Sequence, residues 1–349
     1  MTKLNVSVSL TTELRLEQAL SEAGIENPAT VIKLTVNGML VNKDFMFIRK
    51  NMAKTLQELD LGNASVRNNK IPKNAFSRLP GVTIITLPDS IDSFQIWTFA
   101  VFENLISINV RPDNPFFISV DGVLFNKDKT ALVLFPAGRK GNYVIPDSIS
   151  KIGEYAFYSC SGLTSVNLPE SVVSIGRQAF RSTGLTSINI PKAVVEIGEE
   201  NFPGCFITVH PDNPAFTSED GILFNKAKTK LISFPKGYHY AIPDTVIEIG
   251  ENAFADCTGL SSITIPDSVI KIDDLAFWGC KGLTSVTIPD SVIVIGDYAF
   301  AGCYDLTSVM IPYSVVQIKH NSLPYKCITQ VHPDNPFYTS KNGELKRKM

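Results

Sequence analysis

One short phrase, of the form Leu-Thr-Ser-Val-x-Ile-Pro, returns along this chain and constrains its fold more than any other feature. The chain then continues as Ser-Val-x-x-Ile-Gly-x-x-Ala-Phe or a close relative. The closing residues Phe254, Phe277 and Phe300 follow one another at intervals of 23 residues. A constant interval indicates one structural unit used many times, in which each unit buries its apolar face only against its neighbours. Clear copies of the phrase begin at Leu163, Leu185, Leu260, Leu283 and Leu306.

The apolar spacing within the phrase, Leu-x-x-Leu-x-Leu or its Val and Ile equivalents, is typical of leucine-rich repeats, whose period is about 20 to 29 residues. Weaker copies at Leu56, Val82 and Leu105 extend the pattern towards the N-terminus, and Val31 opens the stack. The predicted fold is a repeat solenoid. It is a right-handed leucine-rich-repeat superhelix, rich in β-structure with short helical turns, with coils of about 23 residues and inserted β-hairpin modules.

Alternation of apolar and polar residues in the phrase predicts a half-buried strand in every coil. Successive coils would form a parallel sheet along one face. The Ile-Pro pair would end each strand, because proline cannot donate to the ladder. In the coil that follows Leu283, Val292 and Ile295 are predicted to close the opposite wall, and Ala299 and Phe300 to fill the interior.

Two segments break the period in the same way. Arg111 to Pro136 is matched by His210 to Pro235, and each contains a Pro-Asp-Asn-Pro turn followed by Asp-Gly, a β-branched residue and Leu-Phe-Asn-Lys. In the first segment, the apolar runs Val123 to Phe125 and Ala131 to Phe135 predict a β-hairpin that projects from the coil. One module is therefore used twice.

Both ends of the chain carry candidate caps, which a solenoid needs to shield its terminal coils. Residues 1–29 lack the phrase and are predicted to form a strand and a short helix. The helical spacing of Thr11 to Leu20 indicates the helix, which would end near Gly24. A third module begins at His332 and breaks off. A polar C-terminal cap is expected there, since its apolar strand is replaced by Lys346, Arg347 and Lys348.

The predicted organisation is one continuous solenoid. The interval from Val110 to Val209 is 99 residues and that from Val209 to Val331 is 122, so the second block holds one more coil. The predicted parts are an N-terminal cap (1–30), degenerate repeats (31–110), a hairpin module (111–145), repeats (146–209), a second hairpin module (210–242), repeats (243–331) and a truncated module acting as C-terminal cap (332–349).

Charge and hydropathy disfavour several classes of function. The 32 basic and 34 acidic side chains leave a net charge of −2, so no global field favours nucleic acid or an anionic membrane. The basic cluster at Lys346 to Lys348 is interpreted as a solvated chain end. No apolar run reaches the about 18 residues that a transmembrane helix needs. Residues 1–20 lack the pattern of a secretory signal, so an intracellular protein or a trimmed mature form is expected.

Six cysteines could suggest disulfides or a metal site, but their spacing favours buried thiols. Cys257, Cys280 and Cys303 recur every 23 residues, at one equivalent position on successive coils. Parallel strands lie about 4.8 Å apart, which exceeds the Cβ separation of about 3.8 Å that a disulfide needs. No Cys-x-x-Cys motif or close His-Cys pair supports zinc, and disulfides or metal remain the less favoured alternatives. The other cysteines are Cys160, Cys205 and Cys327.

No residue pattern predicts catalysis, a metal site or a cofactor. His210 and His332 precede the same Pro-Asp-Asn-Pro turn, where the first module has Arg111, which favours an exposed polar turn over a general base. Each Asp-Asn pair offers one carboxylate and one amide, too few for calcium, which takes about six to eight oxygens. Both residues are ordinary turn formers. No nucleophile elbow or phosphate-binding loop occurs.

The longer phrase Leu-Thr-Ser-Val-Thr-Ile-Pro-Asp-Ser-Val-x-x-Ile-Gly-x-x-Ala-Phe-x-x-Cys, together with the Asp-Asn-Pro and Asp-Gly-Val-Leu-Phe-Asn-Lys module, resembles the BspA-like leucine-rich-repeat family. The resemblance covers about residues 30–345. It implies an extracellular or cell-surface protein of anaerobic gut or oral bacteria that adheres to host proteins or to other cells. It carries over no binding motif residue by residue.

Function is therefore expected on the surface. Outward strand positions form a row of short polar side chains, which either serve a ligand or simply suit a solvated strand. Three aromatic residues near the phenylalanine turn are not required by the repeat. They are either exposed binding residues or half-buried packing between coils. The candidate binding residues are Trp278, Tyr158, Tyr304, Asn167, Asn189, Thr264, Thr287 and Met310.

The leading functional hypothesis is a non-enzymatic cell-surface protein-binding or adhesion module whose partner is a host or bacterial protein. A carbohydrate-binding surface protein is one alternative, and clustering of the aromatic rings on one exposed face would favour it. A structural spacer without a ligand is another, favoured by a sheet face made uniformly of serine and threonine. No nucleic-acid partner, metal or cofactor is expected.

Overall fold

A computed structural model describes residues 3–76, 79–94, 98–99, 102–235, 237 and 239–348. Over these residues the chain is a β-solenoid of about 14 turns with a spacing of about 23 residues, and 7% of it is helical. It divides into two units, Met1–Gly184 and Leu185–Met349. The predicted solenoid of 23-residue coils is confirmed. The finer boundaries between caps, repeats and modules stay predictions.

The first unit contains two α-helices, two 3-10 turns and a series of strands among its described residues. In chain order the elements are β1 (Leu4–Leu10), α1 (Leu16–Glu22), a 3-10 turn (Pro28–Thr30), β2 (Val31–Leu40), α2 (Asn42–Asn51), β3 (Glu58–Asp60), β4 (Ala64–Val66), a second 3-10 turn (Arg67–Asn69), β5 (Lys70–Ile71), β6 (Ile84–Thr86), β7 (Ser93–Phe94), β8 (Ser107–Asn109), β9 (Phe117–Val120), β10 (Val123–Asn126), β11 (Ala131–Leu134), β12 (Gly141–Val144), β13 (Lys151–Ile152), β14 (Leu163–Asn167) and β15 (Ser174–Ile175).

The second unit is built from strands over its described residues. In chain order they are β16 (Ser187–Ile190), β17 (Glu196–Ile197), β18 (Phe206–Val209), β19 (Phe216–Glu219), β20 (Ile222–Asn225), β21 (Lys230–Ser233), β22 (His239–Ala241), β23 (Glu248–Ile249), β24 (Ser262–Thr264), β25 (Lys271–Ile272), β26 (Ser285–Val286), β27 (Val294–Ile295), β28 (Ser308–Ile311), β29 (Gln317–Ile318), β30 (Ile328–Val331), β31 (Tyr338–Lys341) and β32 (Glu344–Arg347).

The N-terminal elements differ from the sequence expectation. β1 pairs in parallel with β2, so the stack begins before Val31. Helix α1 begins at Leu16 instead of Thr11, because the Thr11 hydroxyl accepts the amides of Glu13 and Leu14 and holds the chain in a turn. Helix α2, which the repeat pattern does not predict, follows β2 directly.

Each coil contributes one strand to each of two walls. In the second unit, β22, β24 and β26 form one parallel ladder, with Ser262 opposite Ser285. The strands β21, β23, β25, β27 and β29 form the other, in which Ile272 pairs with Ile295. Val292 and Ile295 are fully buried. The predicted opposite wall is confirmed, and it is itself a hydrogen-bonded ladder.

A column of phenylalanine rings fills the interior between the walls. In the second unit, the ring centroids of Phe254 and Phe277 are 4.9 Å apart, and those of Phe277 and Phe300 are 5.0 Å apart with an angle of 6° between their planes. The Phe277 amide also donates to the Ala299 carbonyl of the next coil at 2.8 Å. The first unit repeats the arrangement, with Phe157 and Phe180 stacked at 4.9 Å. Each of these coils thus buries its repeat phenylalanine against those of its neighbours.

The serine of the Pro-x-Ser-Val turn ties neighbouring coils together. The Ser268 hydroxyl donates to the carbonyl of Val246 at 2.8 Å, and Ser291 donates to Val269 at 2.7 Å. Each acceptor lies in the preceding coil. A small hydroxyl side chain at this position therefore satisfies a backbone carbonyl at the corner of the coil.

The two hairpin modules form, but they do not project from the coil as the sequence suggested. In each module three strands pair antiparallel, β9-β10-β11 and β19-β20-β21. The last of them, β11 or β21, then pairs in parallel with the short strand of the next coil. The hairpin is part of the wall because its apolar run must be covered, and Val123, Leu124 and Phe125 are buried.

The asparagine of each Pro-Asp-Asn-Pro turn is a buried link between a module and the coil before it. The Asn213 side chain is 0% exposed. Its Nδ2 donates to the carbonyls of Pro191 at 2.8 Å and Val194 at 2.9 Å. Its Oδ1 accepts the amides of Ala215 and Phe216. The predicted turn role is confirmed, and the same side chain also bonds to the preceding coil. Asn114 and Asn335 repeat these contacts.

Replacing Phe277 with alanine should lower the free energy of unfolding by about 3 to 5 kcal/mol, because it leaves a cavity inside the ring column. Urea denaturation measures the loss. Trp278→Ala is the matched control, since this neighbouring side chain is only half-buried, and it should lose less than half as much. Equal losses would contradict the distinction between the column and the adjacent position.

Replacing Asn213 with alanine should cost about 3 kcal/mol, because it leaves two carbonyls and two amides without their partner in a buried place. Asp212→Ala changes the adjacent exposed residue of the same turn and should cost under about 0.5 kcal/mol. Thermal and urea unfolding of both variants provide the comparison. A neutral Asn213 variant would show that the four bonds do not stabilise the module.

Candidate interaction surface

Three of the predicted binding residues share one exposed row of the second unit. Thr264 is the last residue of β24, and Thr287 follows β26 directly. Met310 lies in β28 opposite Gln330. All three residues are exposed, with Met310 at 47%. The sequence pattern therefore placed these side chains correctly on the outside of the sheet, and whether they bind a ligand stays a prediction.

The two predicted asparagines lie in different parts of the chain. Asn189 is an exposed residue of the β16–β18 pair in the second unit, where its Oδ1 accepts the Thr208 hydroxyl at 3.1 Å. Asn167 belongs to the first unit and pairs with the exposed Val144 on β12. The asparagine of the second unit is thus engaged with a neighbouring strand.

The predicted aromatic residues occupy unlike environments. Tyr158, in the first unit, is half-buried and packs edge-on against Tyr155 at 5.7 Å. Trp278, in the second unit, is half-buried one residue after Phe277. Tyr304 is 74% exposed, and it stands four residues after Phe300, at another position of the coil. The aromatic positions therefore combine two partly packed rings with one exposed ring.

A row of aliphatic side chains, which sequence reasoning missed, lies on the surface of the second unit. This aliphatic ladder consists of Ile247, Ile270, Ile293 and Val316, each 39–43% exposed. The amide of Ile270 donates to the Ile247 carbonyl at 2.8 Å, and that of Ile293 donates to the Ile270 carbonyl at 2.8 Å, so the rungs are adjacent. Their signal in the sequence is the second apolar residue of each Ser-Val-Ile or Ser-Val-Val triplet and of Thr245-Val-Ile247.

Paired charges flank one side of this ladder. Lys271, the residue after Ile270, lies 2.7 Å from the Asp273 carboxylate and 3.3 Å from that of Glu248. Burial alone would lower the pKa of Lys271, but the hydrogen bonds and charge attraction of Asp273 and Glu248 together outweigh burial, so this pKa is raised. The lysine therefore stays charged over the whole physiological range. An apolar centre with a charged border is the composition of many protein interfaces.

The cysteines lie in the interior of the coils. The prediction of buried thiols is confirmed for five of them, whereas Cys327 is half-buried, and all six are free. The Cys280 and Cys303 thiols each donate at 3.1 Å to a carbonyl of the preceding coil, those of Phe254 and Phe277. Burial raises the pKa of Cys160, and it raises the pKa of Cys205 to about 12.

The histidines of the modules act as turn residues. The Nδ1 of His210 accepts the Asp212 amide at 3.1 Å, and His332 accepts the Asp334 amide at 3.2 Å. Within the described ranges, no group of three or more His, Cys, Asp and Glu side chains is arranged to hold a metal ion. In the same part of the chain, no helix has the length and apolar character needed to cross a membrane.

Six copies of the BspA type leucine-rich repeat region match residues 51–129, 139–237 and 236–342. This chain belongs to the BspA-type leucine-rich-repeat family. The family suggested by the repeat phrase is confirmed. No curated protein matches this BspA-type chain.

Three solved structures are similar to this BspA-type chain, and the first of them supports the fold. A leucine-rich cell surface protein from Faecalibacterium prausnitzii is 22% identical over 78% of this chain and 75% of its own, with a TM-score of 0.54. A leucine-rich-repeat protein from Eubacterium ventriosum is 18% identical over 88% and 87%, with a TM-score of 0.49. The pneumococcal vaccine antigen PcpA is 20% identical over 80% and 75%, with a TM-score of 0.48.

Iodoacetamide at pH 8 should modify native protein slowly and only at Cys327. The thiolate is the reacting form, so a raised pKa and burial both slow the reaction, and burial also raises the pKa of Cys327. Mass spectrometry should find one modified cysteine in native protein and six after denaturation. Cys327→Ser should abolish the native reaction. Rapid modification of Cys280 or Cys303 would contradict the burial of these two thiols in the native protein.

Proposed function

We propose that this BspA-type chain is a non-enzymatic cell-surface module that binds or adheres to a protein partner through the exposed side chains of its coils. Membership of a family of bacterial surface proteins supports this proposal. The repeat also fixes its inward positions for packing, which leaves the outward positions free to vary with a partner. A long face of repeated rungs suits the recognition of a protein.

The aliphatic ladder carries the proposal. Packing between coils does not require Ile247, Ile270, Ile293 and Val316 to be apolar, because their backbone amides and carbonyls make the bonds and their side chains face outward. A contiguous row of exposed apolar side chains with a polar border is an arrangement that often marks an interaction site. Burying these side chains against apolar groups of a partner would release water from the ladder.

A protein is favoured over a carbohydrate by the kind of apolar surface. Sugar recognition uses flat aromatic rings as stacking platforms, but Trp278 and Tyr158 are half-buried. Among the predicted aromatic residues Tyr304 alone is exposed. A spacer without a ligand is disfavoured as well, because Met310 interrupts the row of serine and threonine side chains and the other wall carries the aliphatic ladder.

The test is binding of the purified protein to an array of host extracellular proteins and glycans. We expect saturable binding to a protein, and Ile270→Ser combined with Ile293→Ser should weaken it at least about tenfold, the equivalent of about 1.4 kcal/mol. Circular dichroism confirms that this variant is folded.

The matched control combines Thr264→Ala with Thr287→Ala and removes two outward side chains from the other wall. It should leave binding unchanged. Loss of binding in this control alone would indicate that the partner binds the predicted row of Thr264, Thr287 and Met310 instead. Binding to glycans only would favour a carbohydrate-binding protein, and a blank array would favour a spacer.

A further inference from the structure

The segment from Asn42 to Phe76 in the first unit has a charge unlike that of the rest of the chain. It carries seven lysine and arginine residues against three acidic ones, a net charge of +4, whereas the whole protein has −2. The segment comprises helix α2 and the coil after it. Six of the seven basic side chains are exposed: Lys43, Lys50, Lys54, Arg67, Lys70 and Lys73.

The three acidic residues of this segment are already engaged elsewhere. Asp44 is 1% exposed, and its carboxylate lies 3.1 Å from Arg15 and accepts the amides of Leu16 and Val41. Glu58 lies 2.7 Å from Lys33 on the neighbouring strand. Asp60 accepts the amide of Gly62 at 2.9 Å. These carboxylates therefore satisfy other partners and do not pair with the exposed lysines of this segment.

A groove of about 690 Å³ runs along the exposed side of α2. One wall is the helix, and Asn74 of the next coil contributes to the other. The Arg49 guanidinium donates to the Asn74 carbonyl at 2.7 Å and joins the two walls. The lining also includes Glu17, Lys43, Met46, Phe47 and Lys50. The volume is within the range of about 300 to 1,000 Å³ usual for ligand sites.

The lining alternates positive charge with apolar surface. Lys43, Met46 and Lys50 succeed one another at intervals of three and four residues, so they share one face of α2. Met46 is 58% exposed and Phe47 is half-buried. Within the described part of the chain, neither lysine side chain has an ion-pair or hydrogen-bond partner. The two lysines therefore place one positive charge on either side of the apolar Met46 side chain.

We propose that this groove docks an extended acidic peptide segment in which an apolar side chain stands between two carboxylates. Lys43 and Lys50 bind the carboxylates, and Met46 and Phe47 contact the apolar side chain. Alternate residues of an extended peptide face the same way, so carboxylates at the first and fifth positions with an apolar residue at the third match the row on α2. An anionic glycan has the charge but no alkyl side chain, and a membrane surface does not enter a groove.

The probe is a fluorescently labelled Glu-Gly-Leu-Gly-Glu peptide, titrated by anisotropy against the full chain. Lys43→Glu combined with Lys50→Glu should weaken binding at least tenfold, and Met46→Ser at least threefold. Raising the salt from about 50 to about 500 mM should also weaken it, because the charges are exposed. The matched control, Lys140→Glu with Lys281→Glu, makes the same charge change at other exposed lysines and should leave affinity within twofold.

Two further probes separate this proposal from charge attraction alone. Glu-Gly-Ser-Gly-Glu lacks the apolar side chain and should bind at least threefold more weakly than the leucine peptide. A sulfated oligosaccharide should compete poorly. The proposal is overturned if the leucine peptide does not bind, if the serine peptide or the oligosaccharide binds equally well, or if the control variant weakens binding as much as the groove variant.

Discussion

The contact between one coil and the next, centred on the column of phenylalanine rings, is the interaction on which the rest of this structure depends. A coil of this length has too little interior to bury its own apolar residues. Phe277 is covered on either side by the rings of Phe254 and Phe300 in the neighbouring coils. The constant interval in the sequence follows from this requirement, since each ring must return to the same place above the last. Amides, serine hydroxyls and thiols beside the column then bond to carbonyls of the adjacent coil.

The same requirement decided what the sequence could predict. The inward residues Val292, Ile295 and Phe300 were found from periodicity alone, because burial in a repeated coil leaves a repeated apolar pattern. Helix α2 was missed because residues 42–51 carry no copy of the phrase. The prediction that the hairpin modules project from the coil was wrong for a different reason. A local apolar run predicts a strand, but the pairing of β11 with β13 is a contact between separate segments that no local pattern encodes.

Polar residues show the same limit. An asparagine before proline predicts a turn whether its side chain is exposed or buried. The burial of Asn213 is decided by the carbonyls of Pro191 and Val194 in the coil before it. Exposure of the aliphatic ladder was equally hidden, because Ile270 and Ile272 are the same residue type two positions apart. Strict alternation would put both on one face of the strand, yet Ile272 is buried and Ile270 is exposed. The outward positions of the threonines were predicted correctly. A partner could not be predicted, because its chemistry has no effect on how the coils pack.

The hydrogen bonds of the Asn213 side chain to other segments end in the preceding coil. Because they are this local, a module can be inserted at different places in the solenoid. Through this asparagine a module bonds only to the adjacent coil, so it can be inserted where a Pro-x-x-Val or Pro-x-x-Ile turn comes before it. The array between two modules can accordingly lengthen by one whole coil, as it has between Val209 and Val331 compared with Val110 and Val209. Such an architecture can gain or lose rungs of its outer face by recombination within the gene while every join keeps the same chemistry.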